Sequence, residues 1–374
     1  MASIWGKQLT ISLFGESHGP GIGVVIDGVP PGEPLDMQAI SAFIARRAPG
    51  RTPWSSQRRE PDAPRIISGI YKGQTTGTPL CALIENKDTR PQDYTNQADV
   101  LRPSHADFTG MVRYRGASDP RGGGHFSGRL TAPLCFAGAI CKQMLERRGI
   151  TIAARVSELG NILDAPIDNA APDVKHLRTI GDKDFPVLDD EKGQRMIAAV
   201  ERARLEGDSL GGIVQCFVLG LPAGVGDPMF GGVESCLASI LYGIPAVKAI
   251  SFGDGFATCR RSGSENNDTF YVNEAGMLRT RTNHEGGING GITNGMPVVF
   301  DVGIKPTPSI ALPQQSVNIK TMQAETRITQ GRHDPCIVPR AAVAVEAATA
   351  VALLDLMLVA YGVQGFCEME VQHE

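Results

Sequence analysis

Gln8-Leu9-Thr10-Ile11-Ser12-Leu13-Phe14-Gly15-Glu16-Ser17-His18-Gly19-Pro20-Gly21-Ile22-Gly23-Val24-Val25-Ile26-Asp27-Gly28-Val29-Pro30 alternates short apolar runs with glycine. The pattern reads as a strand, the loop Gly15-Glu16-Ser17-His18-Gly19, a second strand and a turn at Val29-Pro30-Pro31-Gly32. His18 therefore falls on a loop between strands. Alternation with glycine turns of this kind points to antiparallel sheets, and the segments on either side supply helices to flank them.

Asp36 is placed to cap a helix running through Ile40, Phe43 and Ile44 and ending near Arg46-Arg47, before Pro49-Gly50. Leu130, Leu134, Ala137, Ile140, Cys141 and Leu145 recur near helical spacing, which predicts a helix over 127–148 with Gly149 as its stop. Residues 190–206 and 231–243 read as helices, 211–221 and 296–304 as strands, and 160–190 as the most irregular stretch, a candidate surface excursion. No Pro/Ser-rich linker, charge block or repeat divides the chain. The expectation is one α+β domain over residues 1–374.

The 374 residues are 42% hydrophobic and 20% charged, a composition that supports a sizeable core. Glycine is over-represented, with 44 copies in clusters that lack a collagen-like period, which points to backbone used at close quarters. A formal net charge of −4 gives no global reason to bind nucleic acid or an anionic membrane, so an anion site must be local. The eight cysteines include no C-x-x-C pair; reduced thiols fit them better than zinc. Met1-Ala2-Ser3-Ile4-Trp5-Gly6-Lys7 lacks the charged, apolar and cleavage regions of a secretory leader. The most apolar stretch, Ala341 to Tyr361, carries Glu346 and Asp355, charges suited to a buried soluble helix rather than a bilayer centre. A cytoplasmic protein is expected.

Five islands combine glycine with residues that move protons or bind anions. In Phe14-Gly15-Glu16-Ser17-His18-Gly19, flanking glycines let the backbone turn sharply around an imidazole; a catalytic and a structural surface histidine both fit. Arg46-Arg47-Ala48-Pro49-Gly50-Arg51 with Arg58-Arg59 suits carboxylate or phosphate, or a solvated helix end. The third island is Arg102-Pro103-Ser104-His105-Ala106-Asp107 with Asp119-Pro120-Arg121-Gly122-Gly123-Gly124-His125-Phe126-Ser127-Gly128-Arg129. A triple glycine entering a helix would expose backbone N–H groups at its positive end, a phosphate-binding arrangement, with a tight structural turn as the alternative. It matches neither the dinucleotide-fold fingerprint nor a P-loop. Cys259–Asp268 with the glycine-dense Asn283–Gly295 would let backbone approach a flat ligand, or form a mobile surface loop. Lys305-Pro306-Thr307-Pro308-Ser309 and Gly331-Arg332-His333-Asp334-Pro335 supply cations, hydroxyls and a carboxylate for one anionic ligand, or for a surface salt bridge.

These islands, in this order from Gly15 to about Glu346, resemble the chorismate synthase family. The resemblance implies a homotetrameric β-α-β sandwich, reduced FMN as cofactor, and 5-enolpyruvylshikimate 3-phosphate as substrate in the last common step of aromatic biosynthesis. The reaction would be an anti-1,4-elimination of phosphate without net redox change. That substrate carries roughly −3.5 to −4 at neutral pH, so a protein of net charge −4 must concentrate arginine in its pocket. Arg46, Arg47, Arg51, Arg129 and Arg332 are the candidates.

By motif matching, His18 would protonate or stabilise the leaving phosphate, and His105 would manage the protonation of reduced flavin. Asp334 would assist proton removal through flavin N5, with Ser17 and Ser127 supporting these transfers. FMN contacts would map to His125, Phe126, Ser127, Pro245, Ala246, Gly290, Lys305, Pro306, Thr307, Pro308, Ser309 and Arg332. Arg47 matches a position linked in the family to NADPH, which bears only on reduction of the flavin. Two places depart from the pattern: the family's Arg-Ser-Ser is His125-Phe126-Ser127 here, and a second basic position shortly after Arg47 is Pro53, with Arg51 nearby. The latter counts against NADPH binding. A non-catalytic flavin- or phosphometabolite-binding protein and a flavin oxidoreductase are the competing readings.

Overall fold

Asp36 accepts hydrogen bonds from the backbone N–H groups of Gln38 and Ala39, and so starts the first helix, α1 (Met37–Arg47), where the sequence places it. The computed structural model describes residues 3–52, 54, 55, 58, 60–88, 99–329 and 334–371. The further helices are α2 (Asp107–Arg113), α3 (Thr131–Glu146), α4 (Val174–Gly181), α5 (Asp190–Glu206), α6 (Val233–Leu241), the single turn α7 (Gly263–Asn266) and α8 (Val338–Glu368).

Two five-stranded antiparallel sheets enclose α1, α3 and α8. The first sheet has spatial order Ile4–Trp5, Thr10–Gly15, Gly21–Asp27, Leu80–Glu85, Pro64–Ser68. The opening stretch thus forms a hairpin, with Gly15 opposite Ile22 and Thr10 opposite Asp27. The second has order Val247–Phe252, Val298–Ile304, Gly212–Leu219, Thr151–Leu159, Ile162–Leu163. Its strands follow period 2: Val214, Cys216, Val218, Phe300 and Val302 face the central core, while Phe217, Leu219 and Val299 join Leu177 and Ile180 of α4 in a smaller outer cluster. The result is a β-α-β sandwich, the fold class expected from the sequence.

The two central helices, α3 and α8, approach closely because one position has no side chain. A Cβ on Gly138 of α3 would lie 2.3 Å from the Cα of Ala347 on α8. By length and composition α8 could cross a bilayer, yet its most apolar window is 94% buried inside the protein. Its two buried charges, Glu346 and Asp355, are satisfied there. Asp355 accepts from the backbone N–H groups of Lys7, Gln8 and Leu9. Glu346 pairs with Arg46 at 2.8 Å and lies 3.5 Å from Lys142. Burial acts to raise the Glu346 carboxyl, but Arg46 and Lys142 outweigh it and hold the group below its ordinary range.

The structure refines two sequence expectations. The stretch 160–190, expected to be the most irregular, contains the short strand Ile162–Leu163 and α4, capped by Asp173. The triple glycine does not run directly into α3. Gly122, Gly123 and Gly124 have φ of 60°, 84° and 52° within a 3-10 stretch, and Ser127 then starts a further 3-10 turn, Gly128–Leu130, before the α-helix begins at Thr131. Left-handed backbone excludes those glycines from a right-handed helix start.

Candidate active site

One large cavity, about 720 Å³, opens between the first sheet, the start of α3, the end of α6 and the start of α8. This size suits a drug-sized or larger ligand. Its lining combines apolar side chains, among them Ile11, Leu13, Leu134, Ile240, Ile244 and Ala341, with five arginines, Arg47, Arg58, Arg102, Arg129 and Arg340.

Two of the lining arginines belong to a buried ion network. Arg47, on the last turn of α1, donates to Asp62 Oδ2 at 2.6 Å, and Arg129 donates to Asp62 Oδ1. Burial alone would raise the Asp62 carboxyl; the two guanidiniums reverse that and lower it. Burial brings Arg47 down to about 10, against the pull of Asp62, which leaves it charged at neutral pH. Arg129 Nε donates to Asn86 Oδ1 at 3.0 Å. Its buried Nη2 makes no hydrogen bond and lies 3.8 Å from Glu60. A buried donor without a hydrogen bond beside a cavity is a place where an anionic oxygen gains a charge-assisted bond.

The triple glycine is the surface on which His18 of the first island and His105 of the third meet. A Cβ on Gly122 would lie 2.3 Å from His18 Cε1 and Nδ1, and one on Gly123 would lie 3.3 Å from His105 Nε2. Adjacent glycines thus let both imidazoles approach the same backbone. His18 is packed one layer behind the lining, whereas Ser17, Gly122 and His105 line the cavity. Arg58 donates to Ser17 Oγ and to Ser17 O, each at 3.1 Å, fixing the loop in place.

His105 has a defined orientation. Asp107 Oδ1 lies 2.7 Å from His105 Nδ1, and Arg102 grips the same carboxylate through Nε at 2.8 Å and Nη2 at 2.6 Å. Burial would raise the Asp107 carboxyl, but the hydrogen bonds from Arg102 and His105 hold it far below the ordinary carboxylate range. An ionised carboxylate can only accept, so Nδ1 of His105 carries a proton and Nε2 is presented towards Gly123.

Lys305 ties two strained positions at the cavity edge. Its backbone N–H donates to Ala246 O at 3.0 Å and its ammonium to Ser104 O at 2.5 Å. Ala246 and Ser104 have φ of 76° and 59°, a left-handed conformation that L side chains rarely adopt and that tends to gather at functional sites. At the mouth formed by α8, Asp334 accepts from Arg340 at 2.7 Å, and Arg340 Nε donates to Arg47 O.

Of the residues singled out from the sequence, Ser17, Arg47, His105, His125, Phe126, Ser127, Arg129, Pro245, Ala246, Lys305, Thr307, Pro308, Ser309 and Asp334 line this one cavity. His125 and Phe126 also have packing partners: the His125 Nδ1 is 2.8 Å from Gly15 O, and the Phe126 ring covers Gly110. Pro306 and Gly290 are not among its lining residues. Arg46 and Arg51 face elsewhere, onto a small recess behind Arg340; Arg46 is held by Glu346, and Arg51 pairs with Asp184 at 3.3 Å on the surface. Arg332 lies outside the described residues. The sequence reading gave no specific role to Arg102 or Arg340, named Arg58 only within a basic cluster, and did not mark Glu60, Asp62, Asp107 or Asn86 as the groups that hold the site's arginines. Arg58 and Arg102 stand inside the quoted islands, so proximity to those motifs was the available signal; Arg340 carried none.

Fold and cavity define an α+β enzyme-like protein with two helix-backed sheets and a large arginine-lined cavity of a size that suits a small molecule. A family model described as chorismate synthase matches residues 9–358. The chorismate synthase of Lancefieldella parvula is 44% identical over 368 residues, covering 96% of each chain. That of the archaeon Korarchaeum cryptofilum is 42% identical, covering 94% of this chain and 96% of its own. A crystal structure of a chorismate synthase superposes with a TM-score of 0.76 at 27% identity, covering 97% of both chains. The chain belongs to the chorismate synthase family, carbon–oxygen lyases of the shikimate pathway.

Proposed function

We propose that this chain converts 5-enolpyruvylshikimate 3-phosphate to chorismate and inorganic phosphate by anti-1,4-elimination, with reduced FMN bound in the same cavity. The observation that carries this reading is a single cavity of about 720 Å³ whose lining combines five arginines with apolar side chains. Such a cavity fits a polyanion beside a flat, mostly apolar ring. The buried Arg129 Nη2, which makes no hydrogen bond, offers a donor to a carboxylate or phosphate oxygen.

Lys305, Thr307, Ser309, Ser127 and the Pro245–Ala246 edge would hold FMN, which when reduced lends electron density as the substrate C–O bond breaks. Arg47 and Arg129 would bind and orient the substrate's anionic groups. His18 would hold the proton for the leaving phosphate, reaching the cavity through the Ser17 side of its loop. His105, fixed by Asp107, would present Nε2 to the flavin, and Asp334, held by Arg340, would take part in removing the substrate proton. The apolar lining residues would exclude water. NADPH enters only as an external source of electrons for the flavin. A cytoplasmic homotetramer belongs to the same reading. The core shared by both sheets supports treating residues 1–374 as one working domain.

The test is anaerobic incubation with chemically reduced FMN and the substrate, following chorismate and phosphate together. The two should appear in equal amounts without stoichiometric consumption of reductant. One NADPH oxidised per chorismate would instead indicate an oxidoreductase, and binding without turnover a non-catalytic protein.

A further inference from the structure

Asn86 follows the strand Leu80–Glu85 and is absent from the cavity lining, yet its amide joins two parts of the site. Its Nδ2 donates to Glu16 O and to Gly19 O, both at 2.9 Å, while its Oδ1 accepts from Arg129 Nε at 3.0 Å. The orientation of the amide is fixed by chemistry. Backbone carbonyls only accept and a guanidinium only donates, so no flipped amide could satisfy all three partners. Both donors of Asn86 therefore bracket Ser17 and His18, and its acceptor is occupied by the guanidinium that faces the substrate side.

We propose that Asn86 is a positioning residue that couples Arg129 to the loop Gly15–Gly19, so that an anion held at Arg129 fixes the position of His18. Any shift of the Arg129 guanidinium towards a bound anion passes through Nε to the Asn86 amide and on to the two carbonyls that frame the histidine. The inference rests on the functional reading above in assigning work to Arg129 and His18.

Two variants separate the halves of the link. Asn86→Asp keeps an acceptor for Arg129 and loses both donors to the loop; Asn86→Ala loses everything. The probe is inorganic phosphate, and the readout is backbone amide exchange followed by mass spectrometry in the peptide covering residues 14–20. The Gly19 N–H, bonded to Glu16 O, and the Ser17 N–H, bonded to Gly124 O, report on the loop. In the parent, saturating phosphate should slow exchange in this peptide several-fold. In both variants exchange should be faster at rest and no longer respond to phosphate, although Asn86→Asp still binds phosphate within about twofold of the parent by calorimetry.

Turnover with reduced FMN should fall about 10- to 100-fold in both variants, with the change in kcat rather than KM for Asn86→Asp. The proposal is overturned if phosphate protects the loop equally in parent and Asn86→Asp, or if it binds the parent without protecting the loop. Should Asn86→Ala not fold, Asn86→Asp alone decides the matter. A parent that makes no chorismate would sink the functional reading, while the exchange measurement, made without substrate, would still decide the role of Asn86.

Discussion

Arg47 and Arg129 close on opposite oxygens of one buried carboxylate, that of Asp62, with Arg47 at 2.6 Å from Oδ2 and Arg129 bonded to Oδ1. Two guanidiniums from α1 and from the turn before α3 are thereby held side by side, a spacing suited to a ligand with more than one negative group. Asp62 itself has φ of 48°, a strained backbone for a residue with a side chain.

Arg47→Ala and Arg129→Ala should therefore weaken substrate binding by about 1.5–3 kcal/mol each, the usual loss of a charge-assisted bond. Each should also lower the melting temperature, because Asp62 keeps only one of its two cations. Adding Asp62→Asn to Arg129→Ala should recover stability but not affinity. Substrate titration and thermal melts of the three proteins make the distinction; unchanged affinity in the folded single variants would remove these arginines from the substrate site.

Arg46, one residue away, should behave oppositely. It points from α1 to Glu346, whose side chain is 1% exposed, and not into the cavity. Arg46→Ala leaves that carboxylate with Lys142 at 3.5 Å as its remaining cation, beside the Ala154 N–H at 3.3 Å, and should cost on the order of 3 kcal/mol of stability. Substrate KM in the surviving folded protein should stay within about twofold of the parent. A large rise in KM without destabilisation would show that Arg46 reaches the substrate after all.

This pair shows what the sequence could and could not disclose. The period-2 and period-3.6 patterns placed the opening hairpin, α1, α5 and the strand Val298–Ile304, because local burial dictates them. Arg46 and Arg47, by contrast, are adjacent in a cluster that reads uniformly basic, and successive helical residues point about 100° apart. Which one lines the cavity depends on Glu346 and Asp62, 300 residues from Arg46 and 15 residues from Arg47 respectively. Asn86, Asp107 and Arg340 act through such distant or geometry-dependent contacts, so residue type alone did not mark them. The glycine islands were visible, but the reason for Gly122 and Gly123, the approach of two imidazoles, is a tertiary fact.

Stability should depend on pH through Asp301, on the outer face of the second sheet. Burial raises its carboxyl to about 6 from 3.8, against Arg155 and helped by Asp254 and Glu158. Between these values the folded protein holds a proton that the unfolded chain has released. Stability contributed by this group is thus full below pH 3.8 and is lost as pH rises through about 6. The difference corresponds to roughly 3 kcal/mol as an upper figure. Asp301→Asn should raise the melting temperature at pH 7 and have much less effect at pH 4; an equal effect at both would exclude this titration.

Asp107→Asn tests how His105 is set. The carboxylate accepts from Nδ1, while an amide placed there can present its NH₂ group instead and favour the other tautomer. Arg102, which now forms a fork on Asp107, would hold the amide oxygen and encourage that arrangement. Turnover should fall about 10²- to 10⁴-fold with FMN affinity little changed, comparable to other sites where a carboxylate fixes a histidine tautomer. Turnover near the parent level would mean that the carboxylate serves only to anchor Arg102.

His18 and His105 should fail differently when removed, and the glycines between them provide an independent check. Each of His18→Ala and His105→Ala is expected to lower turnover about 10- to 10³-fold, the range for losing a positioned proton donor or acceptor, with the fold retained. Under anaerobic conditions His105→Ala should alter the pH dependence of the reduced-flavin spectrum, whereas His18→Ala should mainly slow phosphate release. Gly122→Ala places a methyl group 2.3 Å from the His18 ring at a φ of 60°, so it must displace that imidazole and should reproduce the His18→Ala pattern. Gly123→Ala meets His105 Nε2 at 3.3 Å, also at a left-handed φ of 84°, and should shift the flavin spectrum instead. If Gly122→Ala folds and releases phosphate at the parent rate, His18 does not deliver the proton from the position it occupies here. If all four folded variants turn over normally, the two loops only bind.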